Sequence, residues 1–361
     1  MNAHGFLKAV GSFLRKNAAA LLVALAVAFL LAAYAFRAAL FPAPPSAAQT
    51  SRPRATPGVP TLRDPLTGFP VPSAQPLPRV YGVMVDNMVD ALPQSGLDQA
   101  PLVIEAPVEA GIPRLLAFFS SEPSVQKIGP IRSARPYFID WDDELDALYA
   151  HVGGSDEALA DLSAGGTFDF NQFWNGSSFW RSTDRQAPHN VYTSTQLLSA
   201  AWDRLAAQGK APAPSYGIWM FKDPAVLPPD HPASPSIDFS MPDYRVSWLY
   251  DAKTDQYRRW QGGLPDTMQD GSAIAADNVA VVATKIETVD QIGHRHITTI
   301  GSGDALVFQD GGVIKATWKK PSARERLRFF DGNGTEVQMN SGKTWIEVVP
   351  GLDAVTYDGK D

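Results

Sequence analysis

The sequence predicts an α+β protein: a mixed α/β first domain over residues 64–215, then a mainly antiparallel β-rich second domain over residues 216–361. Three observations predict it. Strand-like and helix-like segments alternate as far as residue 208, the pattern expected where helices cover the faces of a sheet. Proline-rich text between residues 211 and 235 then interrupts the chain. Beyond it lie β-branched runs separated by Asp-Gly and Gly-Asn-Gly turns, which is how hairpins read.

The chain of 361 residues is 45% hydrophobic and 19% charged, which suits two ordinary domains with real cores rather than a disordered polymer. It has no cysteine, which excludes disulfides, thiolate metal sites, a cysteine nucleophile and a lipid-modified cysteine anchor. A net charge of −7 argues against nucleic acid as a partner.

Taken in order, residues 1–17 carry Lys8, Arg15 and Lys16 and no acid, which predicts a cytoplasmic N-terminus. A membrane anchor is expected over residues 18–40. Its first part, AAALLVALAVAFLLAAYAF, runs 19 residues without a charge or proline. At about 1.5 Å per residue it covers roughly 28 Å, close to the hydrocarbon thickness of a bilayer. The run exceeds the usual core of a signal peptide, so retention is favoured over cleavage at the Ala33-Tyr34-Ala35 box. Residues 41–63 are dominated by proline and small residues and predict a stiff spacer.

In the first domain, RVYGVMVDN (79–87) predicts a buried strand delivering Asp86 and Asn87 to its end. PLVIEAPVEAGIPRLLAFF predicts two strands around Glu109-Ala110-Gly111. Residues 137–146 are amphipathic and predict a helix, and 147–152 another strand closed by Gly153-Gly154. Ser155 is placed to cap a helix reaching Leu162, with Gly165 past its tail. Leu197, Leu198, Ala201, Trp202 and Leu205 fall at helical spacing over 193–208 and mark a core-facing stripe. In the second domain a short strand is expected over 216–221. Residues 244–250 should pair with 256–261, and 278–286 should form a strand. Hairpins should turn at Asp310-Gly311-Gly312 and Asp331-Gly332-Asn333-Gly334, with TWIEVVP as the last strand.

The candidate site is a basic pocket gathered around the segment 127–154. Arg114, Lys127, Arg132, Arg135, Arg181, Arg185 and His189 supply cations, and guanidinium forks bind phosphate or carboxylate through paired hydrogen bonds. Ser133, His151 and Asn190 are expected beside them, because loops at strand ends are where ligands gather. Asp86, Glu105 and Glu109 are the supporting acids. The same cations can instead pair with Asp86, Glu105, Glu109, Asp140 and Asp184 in a structural network, and the sequence leaves both readings open. Trp174, Phe179 and Trp180, interleaved with polar residues, suit either sugar rings or a packed aromatic cluster.

Catalytic constellations are weaker. Asp86, Glu105 and Glu109 have no firm spacing as a carboxylate pair, and neighbouring arginines lower rather than raise a carboxyl pKa. Ser133 with His151 or His189 lacks a Gly-x-Ser-x-Gly elbow. His294 and His296 share a strand face without a third ligand, so no metal is expected, and no cofactor fingerprint such as GxGxxG, a P-loop or HExxH is present.

The blocks PLTGFP, VMVDN, PQSGL, VEAGIPR, KIGPIRSARPYF, HVGGS, RQAPHNVYTS, GGVIKATWKK and SGKTWIEVVP occur in this order over residues 64–350. In them the chain resembles the YerB-like family, a bacterial extracytoplasmic two-part domain of unknown function often carried by lipoproteins. The resemblance implies the fold and a location outside the membrane but no reaction, and the missing cysteine leaves the run at 18–36 to serve as anchor. Three functional classes follow: a membrane-tethered envelope protein binding an anionic ligand, an enzyme on envelope polymers, or a structural partner in an envelope complex. For the second, the layout is similar to that of the LytR-CpsA-Psr glycopolymer transferases, a likeness that implies a lipid pyrophosphate held by Arg132 and Arg135.

Overall fold

The run VYGVMV has no charged side chain to leave in water, and it forms a strand, β1 (Val80–Val85), buried throughout its length. In this computed structural model residues 62–74, 76–224 and 230–358 are described. The expected cytoplasmic segment, the anchor over 18–40 and nearly all of the spacer over 41–63 lie outside the described residues. Among the described residues, no helix is long and apolar enough to cross a membrane.

The hairpin read around Glu109-Ala110-Gly111 is β2 (Leu102–Pro107) and β3 (Pro113–Ser120), joined by a single 3-10 turn. Helix α1 (Pro136–Asp143) starts with proline in its first turn, where the missing N–H costs no hydrogen bond. Strand β4 (Leu148–His151) follows, then α2 (Asp156–Ala164), capped as expected by the Ser155 hydroxyl on the Ala158 N–H. Strand β5 (Phe168–Asn171) and helix α3 (Thr195–Ala207), capped by Ser194 on the Leu197 N–H, complete the first stretch.

The second stretch contributes β6 (Ser236–Asp238), β7 (Arg245–Asp251), β8 (Gln256–Gln261), β9 (Leu264–Pro265) and β10 (Ala275–Ala276). It then adds β11 (Asn278–Ala283), β12 (Gly301–Gln309), β13 (Gly312–Lys320), β14 (Arg328–Asp331), β15 (Thr344–Val349) and β16 (Val355–Thr356). The small sheet is antiparallel in the order β9-β8-β7-β6-β16, with β10 also on β8.

The large sheet has ten strands in the order β14-β13-β12-β11-β15-β2-β3-β1-β4-β5. Strands from both stretches therefore share one ladder. The join is β15, parallel to β11 on one side and to β2 on the other. Because β1, β4 and β5 are also mutually parallel, β3 lies antiparallel to both β1 and β2, and β13 returns in the direction of β11, seven strands end at one edge. Loops leaving that edge are where a sheet of this kind places a ligand.

Both faces of the sheet are covered. Tyr81, Val83 and Val85 point toward α3 and the small sheet, where Trp202 meets Tyr81 edge-on at 6.1 Å and Phe168 at 4.9 Å. Val80 and Met84 point the other way, toward Phe138 and Trp141 of α1. The protein is thus α+β, as the alternation of segments implies.

Three element readings need correction. Residues 216–221 are not a continuous strand; only Phe221–Lys222 pairs, with Met339–Asn340. The segment is pinned instead by side chains, the Tyr216 hydroxyl on Pro78 O at 3.0 Å and Trp219 Nε1 on Leu327 O at 2.7 Å. The Asp331 turn exists, but its return is a single bridge at Glu336 rather than a strand, because the Asp331 carboxylate takes the N–H groups of Asn333 and Thr335 at 2.9 Å each. The strand TWIEVVP is followed by one more, β16.

Candidate functional site

Asp86 is the first residue past β1, and it is almost fully buried. Its backbone N–H donates to Pro130 O at 2.8 Å, which pins the loop carrying Arg132 above the strand end. Asp86 Oδ2 faces an imidazole and a guanidinium. His189 Nδ1 lies 2.7 Å from it, and Arg132 Nε lies 3.1 Å away without hydrogen-bond alignment. The Arg132 side chain remains 20% exposed, and its two terminal nitrogens make no hydrogen bond among the described residues. A guanidinium fork left open in this way has donors to offer an anion.

Arg114 and Arg135 extend this cluster. Arg135 holds Glu109 in a paired contact, Nε to Oε1 at 2.6 Å and Nη2 to Oε2 at 2.7 Å. Burial would raise the Glu109 carboxyl, but the bonds and charge of Arg135, helped by Arg114, outweigh it and hold that group below its usual range. Arg114 is buried, and its Nη1 donates to Ser133 O at 2.8 Å. Burial, then the positive charge of Arg135, pulls Arg114 down to about 10 despite the nearby Asp86 carboxylate. Three guanidinium groups (Arg114, Arg132 and Arg135) thus share two carboxylates, Asp86 and Glu109, with the His189 imidazole also on Asp86.

The loop 181–190 forms the outer wall. Arg181 donates to Asn190 Oδ1 at 2.9 Å, and Asn190 returns its amide to Ser182 O at 3.3 Å. Arg185 clamps the loop to the backbone carbonyls of Ala91 and Pro93. Lys127 reaches Gln269 Oε1 at 2.7 Å, lies 3.9 Å from Asp184 and sits 4.3 Å from the centre of the Tyr192 ring. Asp184 itself accepts from Gln269 at 2.9 Å. Between these walls lies an open cleft of about 750 Å³, lined by Asp90, Leu92, Asp184, Arg185, Gln186 and His189 among others.

The sequence-predicted residues therefore divide into three groups. Arg114, Arg132, Ser133, Arg135, His189, Asp86 and Glu109 meet at the parallel edge of the sheet. Lys127, Arg181, Arg185 and Asn190 hold the flanking loop, Arg181 through one of its nitrogens. His151 and Glu105 are committed elsewhere. Both ring nitrogens of the buried His151 are occupied, Nδ1 by Gly153 O and Nε2 by Asp169, each at 2.7 Å. Asp86 and Glu109 pair with Arg132, His189 and Arg135 as the network reading expects, while the terminal nitrogens of Arg132 keep no partner among the described residues.

Glu105 belongs to a buried network under the cleft. Arg259 Nη2 donates to both its oxygens, at 3.0 and 2.7 Å, and Trp345 Nε1 donates to Oε2 at 3.2 Å. Arg259 Nη1 also reaches Asp266 and, at 3.0 Å, Gln261. Asn87 bridges Glu105 and Gln261 at 3.1 Å each, and Gln94 donates to Asn87 Oδ1 at 2.8 Å. Sequence reasoning missed Arg259 and Gln261. A signal existed, since in β8 they occupy the alternate positions shared with the buried Tyr257, where a polar side chain must have a partner.

Glu347 stands directly opposite Glu105 in the parallel β15–β2 pairing and takes Trp248 Nε1 at 2.7 Å. Burial, then the adjacent Glu105 carboxylate, pushes the Glu347 carboxyl well above its usual range. A carboxyl raised on folding contributes fully below its ordinary pKa, and that contribution fades as pH rises toward the folded value. The native protein is therefore expected to lose stability relative to Glu347→Gln as pH rises above the ordinary carboxylate range, by up to about 1.4 kcal/mol per pH unit. Urea midpoints over a rising pH series check this, and parallel curves for the two proteins would contradict it.

Comparison with known proteins follows the same outline. Residues 66–208 match the family described as "Protein of unknown function (DUF3048) N-terminal domain", and residues 236–346 match the corresponding C-terminal domain. A relative from Bacillus subtilis (strain 168), named "Putative lipoprotein YerB", is 33% identical over 299 residues, covering 82% of this chain and 88% of the relative. The chain belongs to the YerB-like family. A crystal structure of the YerB protein from Bacillus subtilis superposes with a TM-score of 0.72 at 31% identity, covering 82% of this chain and 99% of that one. The two YerB-like family matches fall on the two stretches that share the ten-stranded sheet, and the match to the first includes every residue of the arginine cluster.

Proposed function

We propose that the protein is a membrane-anchored, extracytoplasmic protein of the bacterial envelope that binds an anionic ligand, a phosphate- or carboxylate-bearing glycan or lipid-linked precursor, at the Arg132 edge. The anchor rests on the uncharged run at 18–36 and on the name of the Bacillus relative, a lipoprotein. The observation that carries the binding reading is the open Arg132 fork beside His189, in a cluster where three guanidinium groups share two carboxylates. Placing an anion there restores charge balance at the end of a largely buried cluster.

The test is calorimetric titration of pyrophosphate into the full chain and into Arg132→Ala. Arg132 is expected to contribute about 1.5–3 kcal/mol as a charge-assisted donor, so affinity should fall by about tenfold or more while the melting temperature changes little. Equal affinity in the two proteins, or no binding to the native one, would overturn the reading.

A further inference from the structure

Two aromatic side chains at the same edge of the sheet stand in water. Phe173 and Trp174 follow β5 and are 62% and 82% exposed. The other rings interleaved in this region are packed away. Phe179 is buried and stacks on Phe170 at 5.7 Å, and Trp180 stacks on Tyr192 at 6.1 Å.

The turn that carries the exposed pair is firmly built. Asn171 Oδ1 accepts from the backbone N–H groups of Gly153 and Phe173, at 3.2 Å each. Its carbonyl accepts from the N–H groups of Trp174 and Asn175 at 3.1 Å each, and from the Asn175 side-chain amide at 3.0 Å. Gly153 adopts a left-handed conformation with φ of 60°, and a Cβ there would come within 3.0 Å of the Phe173 ring. Phe173 thus seats against Gly153, and Trp174 projects beyond it. A large ring held out by an ordered turn adds nothing to a core, and its desolvation is left for another molecule.

The position of the turn suggests which molecule. The Val152 N–H donates to Arg132 O at 3.0 Å, and the Ala134 N–H donates to Gly153 O at 2.9 Å, so the turn beneath Phe173 is stitched to the arginine loop. Strand β5 lies two places from β1 in the sheet. With neighbouring strands about 4.8 Å apart, the end of β1 that carries Asp86 is roughly 10 Å from the end of β5. That is the span of a short run of sugar rings.

We propose that Trp174 is a stacking platform for a sugar ring of the ligand whose anionic group is held by Arg132 and His189. The inference rests on the anion-binding reading and narrows it to an anionic glycan. A pyranose presents a face of C–H groups that packs on an indole, while its hydroxyls stay at the rim, where water and neighbouring polar groups meet them. A protein partner or a bilayer would use the same ring without requiring the arginine cluster.

The experiment compares the full chain with Trp174→Ala and Trp174→Phe, titrated with pyrophosphate, oligogalacturonate and phosphorylated dextran oligosaccharides. The native protein is expected to bind at least one glycan more tightly than pyrophosphate. Trp174→Ala should lose roughly tenfold or more of the glycan affinity, Trp174→Phe should keep most of it, and pyrophosphate binding should be unchanged in both. If the native protein binds pyrophosphate but neither glycan more tightly, or if Trp174→Ala binds the glycans as the native protein does, the platform is overturned and the anion seat stands. If Trp174→Ala instead loses only binding to phosphatidylglycerol vesicles, the ring is a membrane contact and the inference fails. A native protein that binds none of the three probes removes the anion seat and the platform together.

Discussion

Arg259→Ala is expected to destabilise the protein by about 3–5 kcal/mol, the cost of removing one partner from a buried ionic group. Arg259 comes from β8, and its guanidinium is enclosed by Glu105 from β2, Asp266 and the Trp345 ring, whose centre lies 5.0 Å away. The charges of Glu105 and Asp266 more than offset burial and hold the guanidinium in its charged form. Without it, Glu105 stays in the interior beside Glu347 with no cation. Urea denaturation of the purified variant checks the value. A loss below about 1 kcal/mol, typical of an exposed pair, would mean that water reaches Glu105 and that the network is looser than described.

Glu144→Ala is expected to cost a similar amount, about 3–5 kcal/mol, with the opposite charge left behind. Glu144 closes α1, and its carboxylate receives Arg326 on Oε1, with Lys320 at 3.2 Å and the Leu327 N–H at 3.0 Å on Oε2. All three groups are buried. Lys320 would keep the carbonyls of Ala323 and Glu325, at 2.7 and 2.8 Å, and Arg326 would keep the face of Trp219 at 4.0 Å. Neither set of contacts neutralises a charge. Replacing Glu144 together with Arg326 and Lys320 by apolar residues should recover part of the loss, since an absent ionic group is less costly than a broken one. Thermal melts of the single and triple variants separate the two cases, and equal destabilisation by both would contradict the argument.

Local structure was largely legible from sequence because local signals set it. The Ser155 cap, the Glu109 turn between β2 and β3, and the apolar run of β1 each follow from spacing and side-chain type over a few residues. The placement of β15 was not legible. TWIEVV reads as a strand, but nothing within it says that it will lie between β11 and β2, more than 200 positions upstream.

The site shows the same division. Arginine and histidine types identify a basic edge, yet pairing decides which of them stay open. Arg135 is closed by Glu109, Arg185 by two carbonyls and His151 by two acceptors, whereas Arg132 shares one oxygen of Asp86 with His189. Those pairings depend on the strand order. Glu105 reads in the sequence as a supporting acid of the basic pocket beside Asp86 and Glu109. In β2 alternate residues face opposite sides of the sheet, and Glu105 finds its arginine in β8.

The position of β15 also constrains how the molecule comes into being. Strands β2 and β11 have no other neighbour on the sides that β15 fills. While the chain is made and delivered from its N-terminus, both would present open backbone to whatever strand is nearby, and so invite misassembly. The architecture is completed by one of its last pieces, Thr344–Val349. A copy cut short before that point would lack the seam of its largest sheet, however well its earlier helices had formed.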